Sequence, residues 1–164
     1  FEVAKDAARP FSVYSDKIST TALGTSFNVK AYPEDEVIQV YLASGKIEVK
    51  EYNNDERNKL ILESGNGAGF HKKYQRLSLE DFNSENALAW KHGVIMFEKS
   101  DFKEVKLLLE RWYGVNIEVN GTPEASWRIN GAFKNESLEN ILNSIDFTTP
   151  INYSISKNKV VINF

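Results

Sequence analysis

Apolar and polar residues alternate with a period of two along the first half of the chain. Phe27, Val29 and Ala31 alternate with Ser26, Asn28 and Lys30, and Ile47 and Val49 alternate with Lys46, Glu48 and Lys50. Residues two apart share one face of a sheet, so both stretches predict half-buried strands. Residues 37–42 form a nearly continuous apolar run and predict a more buried strand. Ser44-Gly45, between that run and Ile47, reads as a hairpin signal, because glycine accepts a positive φ without steric cost. Residues 11–14, 20–23, 60–62, 69–71 and 75–79 predict further short strands. No helical stripe precedes residue 80, and the polar segment 51–59 reads as a mobile hairpin loop.

Residues 80–89 read as a linker with a short helical turn, and at Trp90 the pattern changes. Residues 94–97 predict a strand. Ser100-Asp101 then supplies an N-cap, and Glu104, three residues after Asp101, completes a capping-box pattern. Phe102, Val105, Leu108, Leu109 and Trp112 follow at helical spacing as one apolar stripe, with Gly114 just past the last turn. Val115, Ile117 and Val119 predict the next strand, and Gly121-Thr122-Pro123 turns the chain. Trp127, Ile129, Gly131 and Phe133 alternate on another strand. Asn135 or Ser137 caps a second helix carrying Leu138, Ile141, Leu142 and Ile145. Ile151, Tyr153 and Ile155 then pair through Lys157-Asn158 with Val160, Ile162 and Phe164 in a terminal hairpin. A strand followed by a capped helix thus occurs twice. The pattern predicts two βαβ units that place two helices on one face of a small sheet. Burial at roughly 1.5–3 kcal/mol per large apolar side chain suffices to hold it.

Composition narrows the function. The chain has 164 residues, 41% apolar and 26% charged, which is a globular composition of one medium domain or two small ones. Residues 1–89 carry 11 basic and 14 acidic groups and residues 90–164 carry 9 of each. Charge and period both shift near residue 89, so the chain divides into 1–89 and 90–164. A net charge of -3, without a basic balance, does not suit a nucleic-acid binder. No apolar run approaches the roughly 20 residues that cross a bilayer. Cysteine is absent, which excludes disulfides, a thiolate nucleophile and Cys-ligated metal. Two histidines, His71 and His92, leave little room for histidine-based metal or acid–base chemistry. The first residue is Phe1, so the chain reads as a fragment, with any signal peptide or membrane anchor upstream.

Candidate chemistry is sparse. Gly65-Asn66-Gly67-Ala68-Gly69 resembles a phosphate loop, but its spacing departs from Gly-x-Gly-x-x-Gly and the following residues read as strand, so it predicts a hairpin or bulge loop. His71, Lys72, Lys73 and Arg76 form a basic cluster that could bind an anionic group such as a sugar phosphate or a cell-wall carboxylate, though alternating Lys and Arg on an exposed strand are more often a solvated face that resists edge pairing. Glu34-Asp35-Glu36 follows Pro33 without calcium-loop spacing and reads as a solvated turn. Trp112 continues the helical stripe, whereas Tyr113 lies off it and is the better surface anchor. No catalytic constellation, metal site or cofactor motif emerges. The residues alone predict a binding or signalling module, with a cell-wall or glycan-binding module as the alternative and a glycan-active enzyme third.

Several stretches resemble the FecR family. They are Phe1-Glu2-Val3-Ala4-Lys5-Asp6, Arg9-Pro10-Phe11, and the string from Thr21-Ala22-Leu23-Gly24-Thr25-Ser26-Phe27-Asn28-Val29 to Ala31-Tyr32, with Val40 to Val49 following. Trp90, Gly93 and Phe97, then Leu109 to Ile117 and Gly131-Ala132-Phe133, resemble the domain often appended to that family. That domain is similar to the short N-terminal domain of secretins and TonB-dependent transporters. The resemblance implies an α+β chain: an all-β FecR-like domain lacking its first strands over 1–89, then a small βαβ-βαββ domain over 90–164. It also implies a non-enzymatic function as the periplasmic sensing part of a single-pass inner-membrane anti-sigma factor. Such a protein binds the N-terminal signalling domain of a TonB-dependent outer-membrane transporter. It relays nutrient uptake to an extracytoplasmic-function sigma factor through a cytoplasmic region, and meets the membrane only through an upstream segment. Docking on exposed strand edges is then expected, with Val160, Ile162 and Phe164 on the terminal strand, Trp127, Ile129 and Phe133 on the preceding one, and Tyr113 as candidate contacts.

Overall fold

The chain folds as two units, Phe1–Leu88 and Ala89–Phe164, in a computed structural model that describes residues 1–6, 8–52 and 58–164. The first unit contains β1 (Phe11–Ser15), β2 (Ile18–Ala22), β3 (Ser26–Lys30), β4 (Val37–Ser44), β5 (Lys46–Glu51), β6 (Lys59–Glu63), β7 (Gly67–His71) and β8 (Arg76–Glu80), followed by the short helix α1 (Ser84–Leu88). The antiparallel order β1-β2-β5-β6 makes one sheet and β3-β4-β7-β8 the other. Successive strand pairs therefore enter alternate sheets. Ile18, Ala22, Ile47, Val49 and Leu62 from the first sheet meet Phe27, Ile38, Val40, Leu42, Ala68, Phe70 and Leu77 from the second in one core. The period-two alternation is thus the inward face of two opposed sheets. The central part of the loop expected over 51–59 lies outside the described residues.

Gly45 corrects one expectation. β4 and β5 lie in different sheets, so Ser44-Gly45 is a corner between sheets and not a hairpin turn. Gly24, between β2 and β3, is a second corner, and the two glycines have φ of 101° and 92°. A Cβ on Gly45 would lie 2.7 Å from Thr25 Cγ2, and one on Gly24 only 2.6 Å from Lys5 Cα. The third corner, between β6 and β7, stacks on the Gly45 corner. Gly45 N donates to Ser64 Oγ at 3.0 Å, and Gly65 N to the Leu42 carbonyl at 2.9 Å. Close stacking and a backbone that L residues rarely adopt both demand glycine at Gly24 and Gly45.

The second unit opens with a 3₁₀ turn (Ala89–His92) and runs β9 (Val94–Ser100), α2 (Phe102–Tyr113), β10 (Asn116–Asn120), β11 (Ile129–Lys134), α3 (Leu138–Thr148), β12 (Asn152–Ser156) and β13 (Lys159–Asn163). Asp101 caps α2 in a full capping box, with Glu104 N donating to Asp101 Oδ1 at 2.9 Å and Asp101 N to Glu104 Oε2 at 2.9 Å. Gly114 ends the helix in the left-handed region. Ser137, rather than Asn135, caps α3.

The expected single sheet is instead two. β9 pairs antiparallel with β11, while β10, β13 and β12 form a separate sheet in which β10 and β13 run parallel. One core draws on both sheets and both helices: Ile95, Phe97, Val105, Leu109, Ile117, Ile129, Ile141, Leu142, Ile145, Val160 and Ile162. Two helical stripes need more apolar surface than one small sheet face offers, and strands from both sheets provide it. The terminal strand β13 is consequently interior, flanked by β10 and β12, and not a free edge. Trp127 precedes β11 rather than lying on it.

Two substitutions test this packing. Gly45→Ala is expected to destabilise the first unit by about 1–3 kcal/mol, read by circular-dichroism melting. Asp101→Ala is expected to cost about 1 kcal/mol in the second unit, which holds all the tryptophans, Trp90, Trp112 and Trp127. Urea unfolding followed by tryptophan fluorescence checks it.

Candidate partner-docking surface

The residues expected at the docking surface mostly belong to the core. Val160 and Ile162 are buried on β13, and Ile129 is buried on β11. Trp127 is buried with its ring edge-on to Phe102, the centroids 5.4 Å apart. Its Nε1 finds no hydrogen-bond partner among the described residues. Phe133 is half-buried against Phe97, at 5.9 Å between centroids. Phe164 is 40% exposed at the end of the chain but packs on Phe102 at 4.8 Å. Apolar alternation looks the same on an interior strand as on an edge.

Tyr113 is half-buried and packs partly against the same core. Its hydroxyl donates to the Glu136 carbonyl at 2.7 Å, tying the end of α2 to the residue before the α3 cap. Burial, and then the Glu136 charge, raises its pKa above the ordinary phenol value. Tyr153 on β12 behaves likewise. Its hydroxyl donates to Asn143 Oδ1 of α3 at 2.6 Å, and burial followed by the charges of Glu139 and Asp146 raises its pKa.

The free edges of the three-stranded sheet are β10 and β12. Helix α2 closes the first, since Ile117 N donates to Glu110 Oε1 at 2.7 Å and Lys106 Nζ holds the same oxygen at 2.7 Å. β12 differs. It reads Asn-Tyr-Ser-Ile-Ser, without a charged residue. Ile155 is 40% exposed there, and Phe147 on the last turn of α3 is 91% exposed. Neither was singled out from the sequence. The signal for Phe147 was present, because it falls off the Leu138, Ile141, Leu142, Ile145 stripe.

The other candidates have local explanations. Gly67 and Gly69 lie on β7, where a Cβ would sit 2.0 Å from the Phe82 ring and 1.8 Å from Glu80 Oε1 respectively. The glycines therefore make room for side chains crossing the strand, and no phosphate cradle is built. Glu80, lying over Gly69, reaches His71 Nε2 at 3.3 Å. The basic cluster wraps the β7–β8 turn and is not the exposed strand expected. Lys72 Nζ donates to the Tyr32 and Pro33 carbonyls at 2.8 and 3.0 Å, and Lys73 lies over the Tyr74 ring. Asp35 of the acidic run approaches Lys30 at 3.9 Å in a turn. His92 is exposed. Among the described residues no group of three His, Cys, Asp or Glu could hold a metal ion, and no helix is long and apolar enough to cross a membrane.

Comparison with known proteins now bears on this arrangement. Residues 94–162 match the family model described as FecR, C-terminal. That span begins at β9 and ends within β13, so it is the second unit. The second unit is thus similar to the C-terminal region of the FecR family. A likeness to solved structures extends over both units. The crystal structure at 1.65 Å of a putative anti-sigma factor from Parabacteroides distasonis superposes with a TM-score of 0.80 at 28% identity, covering 98% of this chain and 74% of that chain. A second crystal structure under the same description, at 2.50 Å, gives 0.81 and 28%, covering 99% and 74%. No curated protein sequence matches the chain.

The raised tyrosine pKa values fix a pH dependence. Both phenols are held protonated by the fold, so their contribution is present below the ordinary value near 10 and is lost as pH rises through their raised folded values. Stability of the second unit is expected to fall above about pH 10. Tyr113→Phe is expected to cost about 0.5–1.5 kcal/mol near neutrality and to flatten that alkaline fall. Urea unfolding at several pH values, followed by tryptophan fluorescence, checks both.

Proposed function

We propose that this chain is the sensing region of a FecR-family anti-sigma factor. In this reading it lies in the periplasm, and its second unit docks the N-terminal signalling domain of a TonB-dependent outer-membrane transporter. The parent protein passes the uptake signal to an extracytoplasmic-function sigma factor. The observation that carries the proposal is the match of 94–162 to the FecR C-terminal family, within a likeness to an anti-sigma factor structure that runs through both units. The element order βαβ-βαββ in the second unit supports its kinship with the short N-terminal domain of secretins and TonB-dependent transporters.

The proposed mechanism requires no bond chemistry. A sensing domain works through differential affinity: a partner that binds one state of the regulator better than another shifts the balance between them. What the chain must supply is a surface whose occupancy differs between signal and no signal. A strand edge suits this role, because main-chain pairing gives affinity while neighbouring side chains select the partner.

Titration calorimetry of this chain against the signalling domain of the transporter encoded beside it tests the reading. Saturable one-to-one binding is expected. Absence of heat, together with no co-elution on gel filtration by a folded chain, contradicts it.

A further inference from the structure

The outer edge of β12 carries a feature that the family match does not specify. The two-residue turn Lys157-Asn158 makes Ser156 and Lys159 the closing pair of the β12–β13 hairpin. In an antiparallel pair the hydrogen-bonded residues alternate, so Asn152, Ser154 and Ser156 bond to β13. Tyr153 and Ile155 then turn their amides and carbonyls outward. Edge strands in soluble proteins are ordinarily blunted by a charge, a proline or a cover, and β12 contains neither charge nor proline.

Helix α3 flanks that edge. Asn143 accepts from the Tyr153 hydroxyl, and Asp146 Oδ1 accepts from Ile151 N at 2.9 Å. Phe147 lies one turn beyond Asn143 on the same side of the helix, and it is 91% exposed. The helix carries Glu139 and Asp146 and no basic residue. Asp146 also sits in the last turn, where the helix dipole already favours a cation. The hairpin's own lysines are at its turn end, and Lys159 is paired with Glu118 at 2.8 Å.

We infer that the β12 edge accepts an extended strand of a partner protein, with one apolar residue toward Ile155, another toward Phe147 at the opposite end of the strand, and a lysine or arginine between them toward Glu139 and Asp146. The inference deepens the docking reading above, on which it rests only for who supplies the strand. β10, closed by Glu110, is unsuited to this role, and β13 is interior.

Amide NMR titration tests it, using the capped peptide Thr-Leu-Thr-Lys-Thr-Leu-Thr and its counterpart with glutamate for lysine. The lysine peptide is expected to shift the Tyr153 and Ile155 amides and to bind at least tenfold more tightly than the glutamate peptide. Ile155→Pro, which removes an outward donor without breaking a bond to β13, is expected to abolish the shifts. Phe147→Ser, at a fully solvated position, is expected to weaken binding at least fivefold while leaving urea unfolding unchanged. Equal binding of both peptides, shifts confined to another strand, or full affinity in Phe147→Ser overturns the inference. If the peptide binds as described and the transporter domain does not, the edge stands and the identity of the partner falls. If the transporter domain binds and the β12 amides do not move, the partner stands and the edge falls.

Discussion

The second unit depends on β13 being an interior strand. Its pairing with β10 is parallel, with Ile117 opposite Val160 and Val119 opposite Ile162, and its pairing with β12 is antiparallel. A parallel neighbour cannot be reached by a tight turn, so β11, α3 and β12 all intervene between β10 and β13 in the chain. This arrangement buries Val160 and Ile162 beneath α2 and α3 in the shared core. It also moves the free edge of the sheet to β12. Where a partner strand can pair is thus a consequence of how the core is closed.

The first unit is held by a different constraint. Strand pairs alternate between two sheets, so the chain must turn a corner after β2, β4 and β6. The Gly45 corner lies against Thr25, and Gly24 against Lys5 of the N-terminal segment, without room for a Cβ. Two residues of the segment that carries the family resemblance, Gly24 and Thr25, are therefore there for packing. They define the fold of the unit and say little about what it binds.

Secondary structure was legible because period two and period 3.6 each mark one buried face. The capping box at Asp101 and the stripe from Phe102 to Trp112 gave α2 nearly to the residue. Pairing was less legible. Gly45 looks like a hairpin turn because glycine serves tight turns and sheet corners alike. Val160 and Ile162 look the same on an edge as on an interior strand, since both bury alternate side chains. Tyr113 falls off the helical stripe, yet its hydroxyl is claimed by the Glu136 carbonyl from a residue 23 positions away, which local spacing does not reveal. The surface feature that matters, the uncharged edge of β12 with Ile155 exposed on it, needed the topology to show that β12 is the outer strand.

The account makes one physical claim above the others: in the free protein the second unit presents β12, not β13, as an unpaired edge. Residue-resolved amide hydrogen exchange of the isolated chain tests it most directly. Fast exchange at Tyr153 and Ile155, with strong protection at Ser154, Val160, Val161 and Ile162, is the predicted pattern. Protection of Tyr153 and Ile155 equal to that of β13 would contradict it, because the edge would then already be paired.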